Sequence, residues 1–206
     1  MNLPEIAIAL ALAWGAGLRA YLVIFAIGLA GALGWVELPG HLYVLQHPLV
    51  IGASGFMALV EFGADKLPWL DSIWDAVHSF IRIPAGAALA ALAFGDSGNA
   101  VMIAAGILGG SLAATMHAAK AGARAAINLS PEPFSNWAAS LSEDALVPIG
   151  LWLAVAHPVV FLALLAACLI AVVLLARLLW RGIRRLARSS TLSSPPKDAV
   201  PSVRSP

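Results

Sequence analysis

The 206 residues are 61% hydrophobic and only 11% charged, with a mean hydropathy of +0.88, which excludes an ordinary soluble globular domain. A formal net charge of +1, with the basic residues concentrated in one C-terminal stretch beside apolar sequence, argues against a nucleic-acid partner. The single cysteine, Cys168, lies in an apolar run and cannot make an intrachain disulfide, so it carries no compartment signal.

The first apolar run extends from about Pro4 to Leu33 and has no Lys or Arg before Arg19, so it reads as a retained span rather than a secretory signal. Trp14-Gly15-Ala16-Gly17-Leu18-Arg19 interrupts it. Two glycines and an arginine at mid-depth predict a helix kinked or opened there. Gly28, Gly31 and Gly34 allow a neighbouring helix to approach closely. The linker over residues 35–48 holds His41 and His47, which either offer nitrogen to a metal or are ordinary interfacial residues.

The second run begins near Leu49 and ends in Glu61, Asp65 and Lys66, the two acids four apart and on one helical face. After Pro68 a polar stripe of Asp71, Asp75, His78 and Arg82 opposes an apolar face of Ile73, Val77, Phe80 and Ile81, with Trp69 and Trp74 near its edge. Such a helix lies in a membrane interface or lines a polar cavity. A short run follows over residues 83–94, and Gly95-Asp96-Ser97-Gly98-Asn99 is a turn. The fourth run, from Ala100, carries a Gly106/Gly110 packing step and then His117, Lys120 and Arg124 at i, i+3 and i+7. A break at residues 128–137 leads to an amphipathic segment ending in Glu143 and Asp144. A short run over residues 145–156, a His157-Pro158 turn and a last run over residues 159–180 complete the apolar set. Arg177, Arg181, Arg184, Arg185 and Arg188 accompany and follow that run, and Ser/Pro-rich sequence from Ser189 predicts disorder.

A repeat is visible in order. Asp65, Pro68, Ser72 and Trp74 match Asn128, Pro131, Ser135 and Trp137 at one offset, and Pro84-Ala85-Gly86 matches Pro148-Ile149-Gly150 after a one-residue slip. The fold expected is an all-α polytopic membrane bundle of about six spans with interfacial amphipathic helices. The alternative is four spans plus two re-entrant hairpins, since residues 83–94 and 145–156 are short for a crossing. Residues 1–188 form one transmembrane domain with repeat units of about 49–97 and 100–158, and residues 189–206 a disordered cytoplasmic tail. With both termini inside, Lys66, Arg82, Lys120, Arg124 and the arginine-rich end face the cytoplasm, and the opposite loops have no Lys or Arg.

The stretches GAGLRAYLVIFAIGLAG, ALVEFGADKLPWLDSIWDAVHSFIRIPAGA and SPEPFSNWAASLSEDALV resemble a family of bacterial multi-pass membrane proteins classed as a domain of unknown function. With the fourth run they cover nearly the whole chain before the tail. The resemblance implies a bacterial inner-membrane location and brings no substrate, reaction or catalytic residue.

Function is then a matter of the charges. Ionisable groups in hydrocarbon persist when they pair or work, so Arg19 is either ion-paired, most directly with Glu61 or Asp65 and otherwise with Glu143 or Asp144, or a fixed charge in a solute path. Glu61, Asp65 and Lys66 with His117, Lys120 and Arg124 either neutralise one another or relay an ion. Asp71, Asp75 and His78 offer ligands to a divalent metal, the only cofactor the sequence suggests, against the alternative of a solvated face. No HExxH, GxSxG or Ser/His/Lys constellation is present, which lowers the case for an enzyme. Transport or permeation of a small solute or ion leads, a partner-docking membrane scaffold follows, and a lipid- or metal-dependent membrane enzyme is third. The partners expected are the lipid bilayer and that solute, with a homo-oligomer left open.

Overall fold

Proline opens four of the helices, where its missing N–H costs nothing and its fixed φ already suits a helix. In chain order the computed structural model has α1 (Leu3–Ala32), α2 (Pro48–Ala64), α3 (Pro68–Ala93), α4 (Asn99–Ile127), α5 (Pro133–Ala156) and α6 (Pro158–Leu192). Two 3-10 segments, Gly40–Gln46 and Gly95–Ser97, join α1 to α2 and α3 to α4. The structure describes residues 2–65, 68–127 and 133–192, and no strand occurs among them. Lys66 and residues 193–206 lie outside the described residues, so the expected tail beyond Leu192 does too.

The packing divides into two compact units, residues 1–164 and 165–206. In the second, α6 continues with an arginine-bearing end on which the Arg184 guanidinium lies 5.1 Å from the centre of the Trp180 ring. The first unit is organised around α1. Asn2 caps this helix in a reciprocal capping box with Glu5. Its helical dihedrals break at Arg19, with φ −146° and ψ 77°. A methyl group on Gly15 would touch the Val23 side chain at 2.6 Å, whereas eight residues of straight helix span about 12 Å. So α1 is more than kinked. It folds back at Arg19 into two arms.

Both arms start and finish at one end of the unit. Ile6 on the first arm shares a cavity of about 450 Å³ with Phe94 and Val101, at the turn between α3 and α4. Gly28 on the second arm packs on the backbone of Leu45, and Gly40 of that same 3-10 segment packs on the backbone of Ala93 and Gly95. Among the described residues four helices are long and apolar enough to cross a membrane: α1, α4, the Trp137–Ala156 part of α5 and the Pro158–Arg181 part of α6. Gly40–Gln46 with Pro48–Ala64, bent by 73°, makes a fifth if counted as one span. Length and composition qualify α1 on this measure, but its arms reverse.

The short apolar runs at 83–94 and 145–156 are not separate hairpins. Each is the C-terminal part of a continuous helix, α3 through Pro84 and α5 through Pro148, since an interior proline is tolerated where neighbouring groups take up the freed carbonyl. Small residues set the spacing. A Cβ on Gly86 would collide with the methyl of Ala113, and one on Gly109 with that of Ala90, so α3 and α4 meet backbone to backbone. The GxxxG step read at Gly106/Gly110 belongs to this same face.

Polarity runs opposite to that of a soluble protein. Arg19, Arg82, Glu61 and Asp65 are among the largest fully buried side chains, while Phe56, Leu59, Ile107, Trp152 and Val159 are exposed. On α3, His78 and Arg82 point inward and Val77, Phe80 and Ile81 outward, Phe80 being 84% exposed. Of the two placements open to this amphipathic helix, the structure shows the one that lines a polar interior.

Candidate functional site

Four helices bring polar groups to the bend of α1, each from positions one turn apart. Glu61 and Asp65 end α2, His78 and Arg82 sit on α3, Lys120 and Arg124 on α4, and Ser140 and Asp144, with Glu143, on α5. Spacing of four residues stacks two side chains on one helical face, so each helix offers a ready pair to the centre.

Arg19 is the hub. Its Nη2 lies 2.6 Å from Asp65 Oδ2 and 3.1 Å from Asp144 Oδ1, and its Nε lies 3.7 Å from Glu143 Oε2. Nη2 also donates to the Ser140 hydroxyl at 2.9 Å and to the Ser140 carbonyl at 3.3 Å. Lys120 Nζ stands 3.0 Å from Glu143 Oε2 and 3.7 Å from Asp65 Oδ2. Arg124 Nη2 reaches the same two carboxylates at 3.7 and 3.9 Å. Among the described residues three cations and three carboxylates thus alternate, and their formal charges cancel. Arg19 and Asp65 are sealed from solvent, whereas Glu143 and Asp144 keep 14% and 20% of their side-chain surface.

The bend adds a backbone group. Breaking a helix frees carbonyls at the end of its first arm, and Lys120 Nζ donates to the Leu18 carbonyl at 3.3 Å. A cation at a helix C-terminus also suits the sign of the helix dipole. Lys120 therefore ties the broken end of α1 to the ion cluster.

A second cluster adjoins on α2, α3 and α4. Arg82 Nη2 donates to Glu61 Oε1 at 2.6 Å, with both side chains 1% exposed. Arg82 Nη1 lies 3.4 Å from His117 Nδ1, and His117 Nε2 lies 2.6 Å from Ser79 Oγ. A serine against a histidine invites a hydrolase reading. Arginine only donates, so the contact with Arg82 suits the tautomer with Nδ1 as acceptor and the proton on Nε2, facing Ser79.

Glu61, one of the two first-choice partners for Arg19, belongs to Arg82 instead. Asp65 holds Arg19, and Glu143 and Asp144 join it. Arg82, Ser79 and Ser140 were not picked out as site residues. Arg82 carried a signal, a charge one turn beyond His78 on the polar stripe; the serines carried none. The His78 ring stacks on Trp74 with centroids 4.1 Å apart, meets Tyr21 edge-on, and its Nδ1 is 2.8 Å from the Trp74 carbonyl. The side chains of Asp71 and Asp75, the other metal candidates, lie outside the described residues. No group of three or more His, Cys, Asp and Glu side chains suited to a metal occurs among the described residues. His41 and His47 separate: the first lies 3.5 Å from Asp96, and the second caps α2 by accepting from the Leu49 amide at 3.2 Å.

The family model for a domain of unknown function, DUF4126, matches residues 6–178, from the first turns of α1 into α6. The chain belongs to the DUF4126 family. No curated protein and no solved structure matches it. The matched DUF4126 region contains the whole ion cluster and the bend of α1.

Proposed function

We propose that this chain carries a small solute or ion across the bacterial inner membrane, with the charge cluster at the bend of α1 as its gate. The observation that supports this most is the broken helix itself: α1 reverses at Arg19, and its freed Leu18 carbonyl is taken up by Lys120 among buried charges from α2, α4 and α5. Helices interrupted within the membrane, with their ends facing charged groups, are how many transporters build substrate sites. Arg19, Glu61, Asp65, His117, Lys120, Arg124, Glu143 and Asp144 are the pathway residues. Lys66 follows Asp65 directly and is kept as a candidate.

The gate is the α5 side. Glu143 and Asp144 are the cluster's part-exposed carboxylates, so release of their contacts to Arg19, Lys120 and Arg124 would open the cluster without disturbing Asp65. The test is a flux screen in proteoliposomes over ions and small metabolites, comparing the native chain with a Glu143→Gln, Asp144→Asn variant. The expected result is solute-specific flux that the variant makes leaky. No flux from either protein, both folded, would favour the second reading, a non-transporting scaffold. That reading has its own support, because Arg19, Glu61, Asp65, Lys120, Arg124, Glu143 and Asp144 each lie within 4 Å of an opposite charge.

The topology that accompanies this reading has five crossings, α2 to α6, with α1 as a re-entrant hairpin. The arginines between Arg177 and Arg188 oppose translocation, so the C-terminal end is cytoplasmic, and an odd number of crossings then starts the chain in the periplasm. A reporter active only in the periplasm should be silent when fused after Pro206 and active when fused ahead of Asn2. A silent reporter at both ends would restore α1 as a full crossing.

A further inference from the structure

A half-open groove of about 470 Å³ runs along α2 beside the second arm of α1. Its walls include Phe25, Gly52, Leu59 and Phe62, and Arg19 and Asp144 stand at its border. From Gly52 to Phe62 it follows ten residues of helix, roughly 15 Å. The volume falls in the range of sites that enclose small ligands. Leu59 and Phe56 on the same wall are exposed, so the groove opens on the side that hydrocarbon would cover.

Gly55 brings the second arm of α1 against α2, since a Cβ there would lie 2.9 Å from the Phe25 ring. Gly52, nearly one turn earlier, is exposed, and nothing lies within 4 Å of where its Cβ would be, so the wall is bare and open at that point.

We infer that the groove binds a long-chain carboxylate, its alkyl chain along α2 and its head exchanging with Asp144 on Arg19. The inference rests on the transport reading for its purpose and names the substrate class. Its chemistry follows from the border residues. Arg19 Nη2 holds the sealed Asp65 and Ser140, and also Asp144 at 3.1 Å, whose own side chain is one-fifth exposed. A ligand carboxylate has the same charge and the same acceptor geometry as Asp144. It can take that place on the guanidinium while Asp65 and Ser140 stay bound, and the charge balance of the cluster is kept as Asp144 turns to water. The exchange also frees one of the two α5 carboxylates that hold the gate, so binding of the head and opening of the gate are one event. A neutral head cannot do this.

The test is equilibrium binding of radiolabelled palmitate to the full chain in phosphatidylcholine nanodiscs, with hexadecanol and phosphatidylglycerol as competitors. Saturable binding is expected, with hexadecanol weaker by at least about tenfold because it cannot pair with Arg19. Asp144→Asn removes the competing carboxylate and should tighten palmitate binding several-fold, a direction that loss of a merely structural contact would not give. Gly52→Phe fills the groove where the structure has space, so it should weaken binding at least about tenfold while leaving the unfolding temperature unchanged or raised. Equal competition by hexadecanol, unchanged binding in Gly52→Phe, or weaker binding in Asp144→Asn would overturn the inference. Phosphatidylglycerol competing as well as palmitate would overturn it too, assigning the groove to ordinary bilayer lipid. Because binding is read without flux, failure here leaves the transport reading standing, and absent flux leaves a bound carboxylate intact.

Discussion

Asp65→Ala is expected to destabilise the protein by about 3–5 kcal/mol, more than Arg19→Ala does, although the two residues form one ion pair. Each change leaves the cluster one charge out of balance. The difference lies in what the remaining groups can do about it. Without Arg19, Asp65 keeps Lys120 at 3.7 Å and Arg124 at 3.9 Å, and the part-exposed Glu143 or Asp144 can turn to water. Without Asp65, a sealed guanidinium that does not lose its proton faces two cations with one carboxylate fewer. Removing both residues restores the balance, so the double variant should be more stable than Asp65→Ala alone. Unfolding of the four proteins in detergent, as a double-mutant cycle, reads this directly. Additive losses, or a larger loss for Arg19→Ala, would contradict the arrangement.

Much of this site was legible because charge is rare in an apolar chain. Arg19, Glu61, Asp65, Lys120 and Arg124 each stood out against hydrocarbon-forming sequence, and burial of such groups requires partners. Which carboxylate met which cation was not legible. Glu61 and Asp65 share one face of α2, and only the packing of α1 and α3 on α2 decides that Arg82 reaches the first and Arg19 the second. The break in α1 was written in its two glycines and arginine, but its size was not. A kink and a reversal need the same local residues, and the difference lies in Gly15 letting Val23 come close. Likewise residues 83–94 and 145–156 read as separate short runs, yet in α3 and α5 the helix continues through Pro84 and Pro148. Ser79 and Ser140 could not be found at all, since a serine in a helix is unremarked until a buried charge lies beside it.

Replacing Glu61 and Arg82 together by Leu and Met is expected to restore most of the stability that either single change loses. A buried pair exchanged for apolar groups of similar size is often neutral or better, whereas a pair broken on one side costs about 3–5 kcal/mol. The pair suits this test because both side chains are 1% exposed and meet at 2.6 Å. Arg82→Met alone leaves Glu61 without an ion-pair partner among the described residues. Glu61→Leu alone takes from the Arg82 guanidinium the carboxylate that meets it at 2.6 Å. The apolar double variant separates structure from function. If Glu61 and Arg82 only hold α2 to α3, it folds and keeps its flux. If they belong to the pathway, it folds and loses flux by at least about tenfold, because an apolar plug stands where charge is needed. The second outcome is the expected one, since Glu61 lies one helical turn from Asp65 on α2. Measured flux equal to that of the native chain in a folded double variant would remove Glu61, Arg82 and His117 from the path and leave it to the cluster around Arg19.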